Sequence, residues 1–232
     1  MKTLPLLIAV PLLVACSGAD VSERAEDLAE RTELNTTEAA QAVKATAAKM
    51  DPAPGVDLSA LPAGTYTDED GHAYIQFSYD HQGFSRPTLR WSEFDATVDY
   101  DPENPAASTL RVVIPVSSID SMVPAFDEHL LSADFFDAEQ YPEIVFQSTS
   151  IDLGPGGTGT ITGDLTVRDI TRPITFEGRV NKIGQHFRSG KDMFGISGTG
   201  RLKRSDYGVG KYAPSVGDEV DLVMEVEFQK AD

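Results

Sequence analysis

Residues 220–228 alternate between apolar and polar: Val220, Leu222, Met224, Val226 and Phe228 share one parity, with Asp221, Glu225 and Glu227 on the other. A period of two places successive side chains on opposite faces of an extended chain, so this segment predicts a strand with one dry and one wet face. Half-buried runs of the same kind recur at residues 74–79, 88–100, 109–116, 143–151, 159–167, 174–180 and 193–202. Turn signals separate them, among them Asp101-Pro102, Gly154-Pro155-Gly156-Gly157 and Arg172-Pro173. Eight such strands suit a closed barrel, which removes the unpaired edges of an open sheet and is just wide enough to hold one apolar ligand. The pattern breaks at residues 117–141, where Phe126, Leu130 and Leu131 recur at helical spacing. The fold class is therefore all-β: an antiparallel eight-stranded β-barrel with a short helix and loop insertion, preceded by a tether. The insertion is expected to cap one end of the barrel, with Phe126 and Leu130 pointing inward and Phe135-Phe136 at the mouth of a pocket.

The N-terminus has a different texture. Lys2 precedes an apolar run over residues 4–14 that is too short to span a bilayer, and Ala15-Cys16 follows, a pattern similar to the lipobox of bacterial lipoproteins. Residues 1–15 are thus read as a signal peptide. That resemblance implies that Cys16 becomes the N-terminus, with acyl chains on its sulfur and its amine, and two or more chains make a stable anchor. Ser17, in place of an acidic residue, leans toward the outer membrane over the inner. The expected location is the bacterial cell envelope, lipid-anchored and facing the periplasm. Residues 17–51 contain no aromatic residue and only a thin helical stripe, and Pro52-Ala53-Pro54-Gly55 closes the segment. We read residues 16–60 as a flexible or partly helical tether and 61–232 as the barrel.

Charge and cysteine content narrow the function classes. The 19 Lys and Arg against 37 Asp and Glu give −18, and loss of Lys2 with the signal peptide makes it −19, which repels phosphate backbones and anionic lipid surfaces. No nucleic acid partner is expected, and membrane association must come from the acyl anchor. Cys16 is the only cysteine, so no disulfide forms within the chain and the fold rests on burial alone. The histidines His72, His81, His129 and His186 show no close pairing, so no metal is expected. The run from Gly157 to Gly163 misses the dinucleotide fingerprint by one residue and leads into a strand. No Gly-x-Ser-x-Gly elbow occurs, and Asp127, Glu128, Asp134 and Asp137 read as a solvated loop face. No catalytic residue and no cofactor is therefore assigned. Aromatic residues are the better lead, although they fill cores as readily as they line pockets.

Several segments resemble one known family in order and spacing. They are His129-Leu130 followed by Asp134-Phe135-Phe136-Asp137, then Tyr141-Pro142-Glu143-Ile144-Val145-Phe146-Gln147-Ser148, Gly163-Asp164-Leu165-Thr166-Val167 and Thr171-Arg172-Pro173-Ile174. Lys203-Arg204-Ser205-Asp206-Tyr207-Gly208 and Val216-Gly217-Asp218-Glu219-Val220 extend the match, and His72, Phe77, His81 and Gly83 resemble its opening signature. Together they resemble the YceI-like family over about residues 64–230. The resemblance implies a lipocalin-like antiparallel barrel, exported to the periplasm, whose hydrophobic cavity holds a polyisoprenoid chain or similar apolar lipid. Candidate ligand contacts are His72, Phe77, His81, Phe84, Trp91, Phe94, Phe126, His129, Leu130, Phe135, Phe136, Tyr141, Phe146 and Phe194. The chain departs from the family's usual pattern at Ser121-Met122, where Thr-Gly is common, and at Phe126, where an arginine is usual. It departs again at Leu89, Ala96 and Asp169, where glycines are common.

The leading functional reading is a membrane-anchored, non-enzymatic protein that holds an isoprenoid quinone, polyprenol or similar lipid for storage or transfer, with stress response as its cellular setting. One alternative is an enzyme in which His72, His81 or His129 works with Asp127 on a lipid substrate, which requires an imidazole and a carboxylate to converge inside the cavity. Another is a structural envelope lipoprotein with a filled core. The barrel is expected either alone or paired as a homodimer.

Overall fold

The computed structural model describes residues 55–154 and 156–232; the expected signal peptide, the expected lipidation site Cys16 and the expected tether up to Pro54 lie outside the described residues. Ten strands follow in chain order: β1 (Gly64–Tyr79), β2 (Thr88–Trp91), β3 (Asp95–Tyr100), β4 (Thr109–Pro115), β5 (Ile119–Asp120), β6 (Glu143–Leu153), β7 (Thr158–Val167), β8 (Ile170–Gln185), β9 (Asp192–Lys203) and β10 (Glu219–Lys230). Among the described residues one short α-helix, α1 (Pro124–Leu131), sits between β5 and β6. All pairings are antiparallel, and β1, β3, β4, β6, β7, β8, β9 and β10 form a ring of eight in which β10 returns to β1, from Tyr66 opposite Lys230 to Tyr79 opposite Val220. The expected eight-stranded antiparallel barrel is therefore present. Among the described residues no helix is long and apolar enough to cross a membrane.

The two short strands arise where long ones break. The run read as one strand over residues 88–100 divides at residues 92–94, where the Ser92 N–H donates to the Ser118 carbonyl at 2.8 Å and the Ser118 hydroxyl donates to the Glu93 carbonyl at 2.9 Å. β3 then pairs with the first half of β1 and β2 with the second half, while β5 pairs with β2.

Three irregularities shift the side-chain parity that alternation would otherwise keep. β1 changes register between Asp68 and Ala73, so Tyr66 and Ile75 both face inward although they differ in parity. β6 does so between Ser148 and Ser150, and β8 between Val180 and Lys182. β1 thus begins ten residues before the alternation at Tyr74 suggests. β8 likewise runs through Arg172-Pro173, although that dipeptide carries a turn signal in the sequence. The actual turn is Arg168-Asp169, a two-residue hairpin loop with Arg168 at φ 57°. Counting from that loop, Pro173 falls opposite Asp164 on a non-hydrogen-bonded pair, and β9 pairs with β8 only from Gln185 to Glu177, so the missing N–H of Pro173 costs no ladder bond.

One end of the interior is packed shut. Tyr66 and Phe228 are fully buried, Phe194 stacks on Phe228 at 5.0 Å, and Tyr66 meets Phe194 edge-on at 5.3 Å. The Tyr66 hydroxyl donates to the Pro62 carbonyl at 2.7 Å, satisfying the polar tip of a buried ring. Contacts with the barrel begin before Leu61: Val56 and Leu58 pack against the core, and the Tyr100 hydroxyl donates to the Leu58 carbonyl at 2.8 Å. The last residues assigned to the tether, from Val56 to Ala60, are therefore seated on the barrel.

Candidate functional site

Toward the C-terminal end of β1 the interior opens into a cavity of about 350 Å³. Alternation along β1 points Ile75, Phe77 and Tyr79 into it, and β10 supplies Val220, Leu222 and Met224 from its dry face. The insertion covers this end. Phe126 and Leu130, one helical turn apart, both line the cavity, as do His129, Phe135 and Phe136. Pro124 opens the first turn of α1, where its missing N–H is harmless, and the Asp127 carboxylate accepts the Ser121 N–H at 2.8 Å. Met122 takes φ 64°, the left-handed region that glycine enters without steric cost.

Ring contacts knit the insertion to the wall. Trp91 lies 5.7 Å from Phe77 and meets Phe136 edge-on at 5.4 Å, while Phe135 contacts His129 at 4.9 Å and Tyr212 at 6.1 Å between centroids. Arg168 donates to the carbonyls of Phe135 and Gly208, both at 3.1 Å, and its guanidinium lies 5.5 Å from the centre of the Tyr141 ring. It ties the insertion to the segment between β9 and β10.

That segment is organised by Arg204, which also faces the cavity. Its guanidinium donates to four backbone carbonyls: Gly217 at 2.8 Å, Val209 at 2.7 Å, Lys211 at 2.8 Å and Val216 at 2.8 Å. Burial presses its pKa below the ordinary guanidinium value, with Asp218 opposing. Lys211, the other cation at the cavity, is paired with Asp134, whose hydrogen bond raises the lysine's pKa. Burial pushes the hydroxyls of Tyr79 and Tyr207 up, keeping both neutral. No aspartate or glutamate lines the cavity among the described residues. Its chemistry is that of an apolar room with a few polar groups at one end. The Asp127 carboxylate accepts the Ser121 N–H, and no hydrogen bond joins it to His81 or His129, the two histidines that face the cavity, among the described residues.

Nine of the fourteen candidate contacts from the sequence line this cavity: Phe77, His81, Trp91, Phe126, His129, Leu130, Phe135, Phe136 and Phe146. Five do not. His72 is exposed on the barrel's outside, its Nδ1 2.6 Å from Glu69, and that hydrogen bond raises its pKa. Phe84 sits in the β1–β2 connection with 86% of its surface exposed, Phe94 packs on the core at the break between β2 and β3, and Tyr141 lies under Arg168. Phe194 belongs to the closed end. The reason is common to them: an aromatic side chain marks burial or a turn as readily as a pocket. Phe176, Arg204, Tyr207, Lys211 and Tyr212 also face the cavity and are not among the fourteen candidates. Arg204 and Tyr207 lie in the Lys203–Gly208 segment that carried part of the family resemblance, which was the available signal.

Fold and site together define a lipocalin-like antiparallel barrel built around an apolar internal cavity. A YceI-like domain matches residues 66–228, and the protein YceI of Escherichia coli O157:H7 is 35% identical over 170 residues, covering 73% of this chain and 88% of that one. The chain belongs to the YceI-like family. Among solved structures, BcnA of Burkholderia cenocepacia shares the fold with a TM-score of 0.62 and 24% identity, over 69% of this chain and 98% of that one. A polyisoprenoid binding domain from Saccharophagus degradans, implicated in plant cell wall breakdown, shares it with a TM-score of 0.57 and 10% identity, over 73% of this chain and all of that domain.

Proposed function

We propose that the protein is a non-enzymatic binder of an isoprenoid quinone, polyprenol or similar apolar lipid, anchored by lipid at Cys16 to the periplasmic face of the envelope. The observation that carries this is the cavity of about 350 Å³, walled by aromatic and aliphatic side chains and free of carboxylates among the described residues. Burying an isoprenoid tail there gains roughly 25 cal/mol for each Å² of apolar surface, so affinity comes from area and needs few polar contacts. The polar groups gather at one end, where a head group meets His81, His129, Lys211 and Tyr212. Membership in the YceI-like family and the shared fold of a polyisoprenoid binding domain support the same ligand class. Storage or transfer of the lipid is the cellular role that such a container fits.

Mass spectrometry of organic extracts, from protein purified without detergent, is expected to find an isoprenoid lipid near one per chain. A lipid-free extract, together with no uptake of geranylgeraniol by the folded protein, would overturn the reading. The anchor has its own test: Cys16→Ser should move the protein from the membrane to the soluble fraction. Sedimentation of the variant with membranes after a salt wash would show that acylation at Cys16 is not what holds it.

A further inference from the structure

The interior of the barrel is not one room. A second cavity of about 100 Å³ lies between the first and the closed end, bordered by Leu61, Val98, Tyr100, Phe194 and Ile196. Leu110, Phe176 and Met224 line both cavities and so form the partition between them. The Phe176 ring meets Phe146 edge-on at 5.3 Å, which makes a pair of rings at the waist.

Glycines on the adjoining strands give these rings their seats. A Cβ at Gly200 would lie 2.4 Å from the Phe176 ring, and one at Gly163 2.5 Å from the Phe146 ring. Both glycines occupy inward positions, since Gly200 shares parity with Leu202 on β9 and Gly163 shares parity with Leu165 and Val167 on β7. Any larger residue there would drive the rings from their places. Below the partition, Gly178 borders the second cavity with nothing nearer than 3.8 Å to its would-be Cβ. The lower room thus has space that a side chain, or a lipid tail, could fill.

We propose that Phe176, backed by Phe146 and flanked by Leu110 and Met224, is the specificity-determining residue that stops the ligand's tail at the waist and so sets the length of isoprenoid chain the protein takes. The proposal rests on the lipid-binding reading above. A planar ring with two side-chain torsions, held between a second ring and a glycine, yields less readily to a tail than the flexible Met224 does. Beyond it, the four residue steps from Met224 to Phe228 add about 13 Å along β10, which a tail can reach only if the waist opens.

The test is a titration of the full-length protein, stripped of bound lipid, with farnesol, geranylgeraniol and solanesol, in order of increasing length. Wild type should bind best at an intermediate length and poorly to solanesol. Phe176→Ala should bind solanesol about tenfold more tightly, because more tail is buried, with farnesol changed by less than about twofold. Adding Gly178→Leu to Phe176→Ala refills the lower room and should restore the wild-type preference. If Phe176→Ala does not fold, the smaller change Phe176→Leu carries the comparison. Folded wild type that binds none of the prenols overturns the lipid-binding reading itself. Wild type that binds all three alike, or Phe176 variants that keep the wild-type length profile, overturn the waist proposal and leave lipid binding standing.

Discussion

Replacing Arg204 by methionine is expected to lower the stability of the barrel by roughly 3 to 5 kcal/mol, among the larger effects of any single substitution in this chain. Methionine keeps the apolar stem and removes the donors, so four backbone carbonyls, those of Val209, Lys211, Val216 and Gly217, lose their partner together. They belong to the segment that joins β9 to β10, which has little regular structure of its own beyond a single short 3-10 turn. Arg204→Lys should recover only part of the loss. An ammonium offers three donors from one point, whereas the carbonyls are spread around the fork of a planar guanidinium. Urea unfolding at constant slope measures the difference, and a loss below about 1 kcal/mol would mean that water replaces the guanidinium at those carbonyls without cost.

The second large effect is on the ligand. Phe126→Asp should weaken geranylgeraniol binding by roughly a hundredfold, close to 3 kcal/mol, while the thermal midpoint falls by only a few degrees. Phe126 lines the cavity from α1 and is half-buried, so the new carboxylate can turn toward solvent when the cavity is empty. A bound tail takes that freedom away and forces the charge against hydrocarbon. Phe126→Leu keeps the apolar wall and should bind nearly as wild type does. The opposite outcome, a loss of several kcal/mol in stability with full lipid loading of the folded fraction, would make Phe126 a packing residue and move the cavity's entrance elsewhere.

The fold was legible where local pattern and final packing agree. Alternation over residues 220–228 marks β10 to within two residues at each end, and the helical spacing of Phe126 and Leu130 marks both α1 and the face it turns to the cavity. It was not legible where a bulge resets parity: the polar stretch Glu69-Asp70-Gly71-His72 hides the first ten residues of β1, because the register shift falls there. Pro173 misled for a related reason. Its ladder position decides whether a missing N–H matters, and that position depends on a turn several residues away. The same holds for the site. Phe84 and Phe136 look alike in sequence, yet one is exposed in a hairpin connection and the other packs on Trp91. Phe176 and Gly200 stand 24 positions apart, and only the register of β8 with β9 brings ring and glycine together.

The closing seam of the barrel joins the first strand to the last, from Tyr66 opposite Lys230 to Tyr79 opposite Val220. β1 must therefore wait, with one edge unpaired, until nearly all of the chain has been made and β10 arrives. Until that moment there is no enclosed interior at all, only an apolar sheet with two free edges, open to pairing with other chains. The 12 residues of β10 decide both when the container comes into existence and how long its precursor stays exposed to aggregation.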